Sequence, residues 1–233
     1  MLFDNSTGSC WRKWDLHIHS TASDGKSSPQ EIIDAAIEKG LSVIALTDHH
    51  TVDNIDSIKS LGKEKGLTVI SGIEFRTEYG RKSVHMIGLF PDRHNGINLD
   101  GYALKDLILA PLKLSRTHII AEARKESPNE KDEQKLYKEG LLKVQVDFKE
   151  AADLIHKYGG LVSVHAGDKQ NSFDREMRHY GTGTRDVSLA DSLGPVKEEL
   201  LNYYIDICEI TKKSEGNFYI NTWNKPVIAA SDA

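Results

Sequence analysis

Only two cysteines occur among the 233 residues, Cys10 and Cys208, and they form no C-x-x-C pair. That scarcity excludes a disulfide-stapled scaffold and a cysteine-rich zinc site, and it makes a reducing, cytoplasmic setting the expectation. Long apolar runs are missing as well. None approaches the roughly 20 residues that cross a bilayer, and the opening MLFDNSTGSCWRKWD has no apolar signal core, so no membrane partner is expected. There is no basic excess: 30 Lys and Arg stand against 35 Asp and Glu, for a net charge of −5. A chain-wide basic surface for nucleic acid is thereby excluded. Phosphate-bearing substrates stay open, because bound cations reverse the local field. No internal repeat, low-complexity tract or P-loop appears.

What the chain has in quantity is alternation. Short apolar, β-branched segments fall at 14–19, 43–48, 68–75, 83–90, 161–166, 205–210 and 226–232. Near-continuous apolar runs of this length suit strands buried on both faces, as in parallel sheets. Helical patterns lie between them. In SSPQEIIDAAIEKG (27–40) a serine caps, Pro29 suits the first turn, Ile32, Ile33, Ala36 and Ile37 form the apolar stripe, and Gly40 stops the helix. Residues 53–66, 148–160 and 196–206 repeat the logic. Strand–helix alternation predicts a parallel α/β fold, either a doubly wound sheet or a barrel, in one domain over residues 1–233. Two stretches break the rhythm: a charged, mostly helical insertion over about 91–147, and a polar, Gly-rich active-site loop over 167–195.

The strand ends carry the chemistry. The stretch DLHIHSTASDG (15–25) places His17 and His19 two residues apart, on one face of a strand and half of a metal site. The second segment ends in Thr47-Asp48-His49 and the third near Glu74. His85 lies near the start of the fourth, His165 ends the fifth, and Asp232 ends the seventh. Taken singly, each has a structural explanation: Asp48 as a helix cap, Glu74 as a surface carboxylate, His165 as a core histidine. Converging on the rim where α/β folds build their sites, they are explained together by a metal cluster. Histidine with carboxylate and no cysteine suits Zn²⁺, Mn²⁺ or Fe²⁺. His17, His19, Asp24, His49, Glu74, His85, His165 and Asp232 are enough for two or three ions. Adjacent cations activate water and clamp a phosphoryl group, so phosphate-ester hydrolysis is the predicted reaction class.

These residues resemble the motifs of the PHP domain, named for polymerase and histidinol phosphatase. Asp15-Leu16-His17-Ile18-His19 with Ser23-Asp24-Gly25 matches the first motif, and Thr47-Asp48-His49 the second. Gly72-Ile73-Glu74 matches the bridging glutamate, and His85 in VHMIGL and His165 in SVHAG follow. Ser231-Asp232-Ala233 matches the last motif up to its final histidine. The resemblance implies a distorted seven-stranded (β/α) TIM-like barrel and a trinuclear site. One metal would use His17, His19, Glu74 and Asp232. A second would share Glu74 with His85 and His165, and a third would take Asp24 and His49. It also implies hydrolysis of phosphate mono- or diesters, on a phosphorylated small molecule, a nucleotide or a nucleic-acid end, by a hydroxide bridging the metals that share Glu74. The alternative is a non-catalytic, metal-binding structural module of a larger polymerase-like or ATPase protein. The opening WRKWDLHIHS resembles modules that precede an ATPase region, so a longer polypeptide with such a C-terminal region is an expectation.

Glu74, Asp48 and His49 are the expected catalytic residues, with Asp48 and Asp15 orienting histidines by hydrogen bonds. Arg175, Arg178 and Arg185, together with His179, are expected to meet substrate phosphate or else to lie on a solvated face. Arg76 and Arg81 are similar candidates. His50 is expected to face away from the site or sit in its mouth. His118 and His156 are read as structural or surface residues.

Overall fold

The computed structural model describes residues 12–80, 82–178 and 187–232. Seven strands form one sheet: β1 (Lys13–Ile18), β2 (Leu41–Leu46), β3 (Thr68–Arg76), β4 (His85–Phe90), β7 (Leu161–His165), β8 (Ile207–Glu209) and β9 (Val227–Ile228), neighbours in that order. A separate small hairpin joins β5 (Arg93–His94) and β6 (Ile97–Asn98). All seven apolar segments of the sequence therefore become strands of one sheet.

The strands are not all parallel. β4 runs antiparallel to both β3 and β7, which corrects the expectation of a wholly parallel sheet. The cause is the length of the connection. A parallel crossover needs a dozen or more residues, and residues 77–84 close a hairpin instead. Gly80 (φ +83°) and Ser83 (φ +77°) supply the left-handed backbone of that turn. The reversal brings the start of β4 level with the end of β3, His85 opposite Arg76. A histidine at the beginning of one strand thus reaches the rim formed by the C-terminal ends of the others.

The helices follow local signals. Ser28 and Glu31 form a reciprocal capping box at the start of α1 (Pro29–Glu38), with proline in its first turn. Ile32, Ile33 and Ala36 are buried along its inner stripe. Gly66 ends α2 (Ile55–Lys65) in the left-handed conformation. Residues 91–147 are largely helical. They comprise the β5–β6 hairpin, α3 (Gly101–Leu104) running into a π-helical turn (Lys105–Leu109), α4 (Arg116–Glu126) and α5 (Glu133–Leu141). Asp147 caps α6 (Phe148–Lys157). The 167–195 stretch is less of a loop than its composition indicates, since α7 (Phe173–Arg178) and the first turns of α8 (Val187–Tyr203) lie in it. α9 (Lys213–Trp223) precedes β9.

Two apolar layers hold the sheet. The larger joins the helices to its outer face, with Ile33, Ile44, Ile58, Ile73 and Ile155 fully buried. Each such side chain contributes about 1.5–3 kcal/mol. The smaller unites Leu16, Ala45, Ile87, Leu89 and Ile207. β1 and β8 lie near opposite ends of the strand order, so these side chains meet only because the sheet curls into a distorted half-barrel. A seam closes it: the Asp232 amide donates to the His17 carbonyl (3.0 Å), and the Ser231 amide donates to Asp15 Oδ1 (3.1 Å). Among the described residues no helix is long and apolar enough to cross a membrane.

Candidate metal centre

The pairing of β1 with β2 is irregular between Asp15 and Ile18, and His17 and His19 flank the end of that strand. Their Nε2 atoms come within 2.9 Å of each other. Glu74, from the end of β3, occupies the centre and is buried. Its Oε2 lies 3.3 Å from His17 Nε2, 3.0 Å from His19 Nε2 and 3.4 Å from His49 Nδ1, and its Oε1 lies 2.7 Å from His85 Nδ1 and 3.5 Å from His165 Nε2. Asp232 Oδ1 is 3.3 Å from His17 Nε2. Asp24 stands at the rim, Oδ1 3.3 Å from His19 Nδ1 and Oδ2 3.8 Å from His49 Nε2. The structure brings all eight candidate ligands together.

These contacts are short without being hydrogen bonds in every case. Glu74 Oε2 and His49 Nδ1 are buried and have no hydrogen-bond partner, although nitrogen and oxygen atoms crowd around them. Orphaned buried polar atoms are costly. Ligand atoms crowded this closely around buried atoms that lack a hydrogen bond fit a divalent cation. Three overlapping groups have ligand atoms within 4.8 Å of one another: His17, Glu74 and His165; His17, His19 and Asp232; and His19, His49 and Glu74. The donor set, imidazole with carboxylate, suits Zn²⁺, Mn²⁺ or Fe²⁺.

The electrostatics show what the cluster does without a cation. Burial disfavours the imidazolium of His17, but the Glu74 charge and the Glu209 carboxylate outweigh it and lift the ring to about 9. His19 rises to about 11, against burial, through Asp232 and Glu74. Burial wins at His49, with the neighbouring imidazoles adding to it, and at His165, which fall to about 3 and about 4. Glu74 and Asp232 are both held below the ordinary carboxylate range by the surrounding imidazoles, against their own burial.

The supporting residues differ from expectation. Among the described residues Asp48 hydrogen-bonds or ion-pairs with no imidazole. It accepts from the Ser20 amide (2.8 Å) and from the hydroxyls of Ser20 (2.6 Å) and Ser23 (2.5 Å), and so shapes the turn beneath His19. Ser23 Oγ lies 3.4 Å from His19 Nδ1, so the influence of Asp48 is indirect. Asp15 accepts from backbone amides. His50 is fully buried and turned away, its Nε2 accepting from the Arg76 amide. His156 pairs with Asp206, and His118 is exposed on α4.

A cavity of about 490 Å³ opens on the cluster, walled by Arg76, Lys82, Gln170, Asn171 and Leu142 besides the ligand residues. Arg175 is not among them. It donates from Nη1 to the Asp168 carbonyl, so the arginine set expected in the 167–195 stretch is corrected at this position. Arg81, His179 and Arg185, and the side chain of Arg178, lie outside the described residues. Arg76 does face the cavity, with Nη1 3.2 Å from His85 Nε2 and a buried, unpartnered Nε.

Two residues at the centre escape the sequence reading. Glu209, fully buried at the end of β8, meets His17 Nδ1, and Lys169 Nζ lies 2.5 Å from Glu209 Oε1. Glu209 obeys the strand-end rule that flagged the others, a carboxylate near the end of the apolar run IDICEI.

A curled α/β sheet with a His–carboxylate cluster on its C-terminal rim defines a class of metal-site barrel. The chain belongs to the PHP domain family, whose model matches residues 15–221. It is 43% identical over 82 residues, 35% of its own length, to a 5'-3' exoribonuclease of Haemophilus influenzae. It is 36% identical over 75 residues, 32% of its length, to a 3',5'-nucleoside bisphosphate phosphatase of Chromobacterium violaceum. A phosphoribosyl 1,2-cyclic phosphate 1,2-diphosphodiesterase of Eggerthella lenta is 38% identical over 78 residues, 32% of this chain. The matched segments span 30%, 26% and 29% of those relatives. Among solved structures, a protein of Bifidobacterium adolescentis described as a metal-dependent phosphoesterase superposes with a TM-score of 0.54 at 16% identity, over 94% of this chain and 86% of that one. A Chromobacterium violaceum amidohydrolase gives 0.55 at 19% identity, with the same coverage. Both share the fold.

Proposed function

We propose that this chain is a metal-dependent phosphoric ester hydrolase acting on a phosphorylated small molecule, a nucleotide or a nucleic-acid end. The observation that carries the reading is the convergence of imidazoles and carboxylates on Glu74, whose Oε2 is buried among them without a hydrogen bond. Relatives named as phosphatase, phosphodiesterase and exoribonuclease support the reaction class. Residues 1–233 are taken as one such domain, with 91–147 as its insertion. The cysteine scarcity supports a cytoplasmic setting, and the resemblance of the opening residues alone supports an attached ATPase region.

His17, His19, Glu74 and Asp232 would hold one cation, Glu74, His85 and His165 a second, and Asp24 with His49 a third. A bound divalent cation supplies Lewis acidity to phosphoryl oxygens and lowers the pKa of water. The remaining work falls to the chain. Glu74 holds its carboxylate ionised at the centre, positioned by the imidazoles on both of its oxygens. Arg76 and Lys82 present positive charge at the cavity wall, where a guanidinium fork matches phosphate oxygens. Leu142, from the insertion, gives the mouth an apolar edge for the non-phosphate part of a substrate.

The test is metal analysis of the purified chain together with turnover of phosphomonoesters and phosphodiesters in added Mn²⁺. Glu74→Gln, His17→Ala and Asp232→Ala are each expected to lower turnover by about 100-fold or more, with loss of bound metal. Turnover that survives with the site drained overturns the proposal. Metal binding without turnover of any ester favours the structural module instead.

A further inference from the structure

Behind the face of the cluster that would meet a cation, His17 has a second set of partners. Its Nε2 looks toward Glu74 Oε2, His19 Nε2 and Asp232 Oδ1. Its Nδ1 lies 3.0 Å from Glu209 Oε2 and 3.2 Å from Oε1, with His165 Nε2 at 3.4 Å. An ionised carboxylate only accepts, so Nδ1 must carry the proton, and in the neutral ring Nε2 is then left with the lone pair. Glu209 itself is fully buried, and a buried charge needs a partner. Lys169, also buried, supplies it: its Nζ lies 2.5 Å from Glu209 Oε1 and 3.1 Å from Asp232 Oδ2. One ammonium thus ties the loop after β7 to the end of β8 and to the segment after β9.

We propose that Glu209 is a positioning residue that fixes His17 with its Nε2 lone pair toward the cation, and that Lys169 locks Glu209 and Asp232 into one unit. The proposal rests on the reading that the cluster holds cations. Neither residue touches the cavity, so both act through His17 and Asp232.

The experiment measures the Mn²⁺ dissociation constant by chelator competition, and the visible spectrum of the Co²⁺-loaded protein, for the wild-type chain and for Glu209→Gln, Glu209→Ala and Lys169→Met. The expected result is Mn²⁺ affinity weakened about 10–100-fold in the Glu209 variants. Lys169→Met is expected to weaken it as well, and the Co²⁺ bands to shift in all three as the ligands reorient. If Glu209→Ala does not fold, as judged by circular dichroism, Glu209→Gln and Lys169→Met decide. Mn²⁺ constants within about twofold of wild type, or weaker binding with an unchanged Co²⁺ spectrum, overturn this proposal alone. A wild-type chain that binds no Mn²⁺ overturns the functional reading and this inference with it.

Discussion

Two imidazoles in this cluster hold protons that a cation would have to displace. Against burial, the carboxylates around them, Glu74 and Glu209 for His17 and Asp232 and Glu74 for His19, push these rings up to about 9 and about 11, so both are charged at neutral pH before a cation binds. Glu74 and Asp232 are ionised throughout and release nothing. Metal ligands must be deprotonated, so binding expels protons and strengthens as pH rises toward 9. One displaced proton makes apparent affinity climb about tenfold per pH unit, and two about 100-fold. Mn²⁺ titrations at pH 6, 7 and 8 should show this slope together with proton release. A flat profile would mean that the rings are neutral before the cation arrives. At this scale the sequence was informative at the strand ends and in the turn after β1, and the eight candidate ligands were readable there, His85 at a strand start among them. Glu209 was readable by the same rule. Lys169 was not, because it reaches the site from an irregular loop, and no periodicity says where such a side chain points. Arg175 misled for the same reason: its guanidinium bonds back to the Asp168 carbonyl.

Strand existence and strand direction carry different signals. Apolar runs mark burial on both faces, and all seven produced strands. Direction depends on what connects them, and the direction of β4 was written only in the shortness of residues 77–84. α8 was half visible for another reason: its first turns lie in a polar, Gly-containing stretch that reads as loop. The turn after β1 is more exacting. A Cβ on Gly25 would sit 2.4 Å from the His19 carbonyl carbon and oxygen and 2.7 Å from the Ser20 nitrogen, all backbone atoms. Gly25→Ala must therefore push His19 and Asp24 out of place. Such overpacking costs about 1–3 kcal/mol. The variant is expected to lose both thermal stability and bound Mn²⁺, read by calorimetry and metal analysis. Unchanged metal content would show that the turn yields without moving the ligands.

Across the whole molecule, cation binding and folding draw on the same residues, since the ligands come from β1, β3, β4, β7 and the segments after β1, β2 and β9. Free Mn²⁺ at about 100 times its dissociation constant should stabilise the fold by about 2.7 kcal/mol. For a chain of this size that is a rise in melting temperature of roughly 5–10 °C, reversed by chelator. An unchanged melting curve would place the cation outside the folded framework. The seam gives this coupling a direction. Asp232 both hydrogen-bonds the His17 carbonyl through its amide and faces the His17 ring through its carboxylate. A cation held by these two residues would therefore act as a clasp, turning the open chain into a ring joined without a covalent bond. Unlike a covalent cross-link, such a clasp is lost when the chain unfolds, so it secures the folded state alone. Drained of metal, the ring should open at that seam before any other part of the sheet gives way.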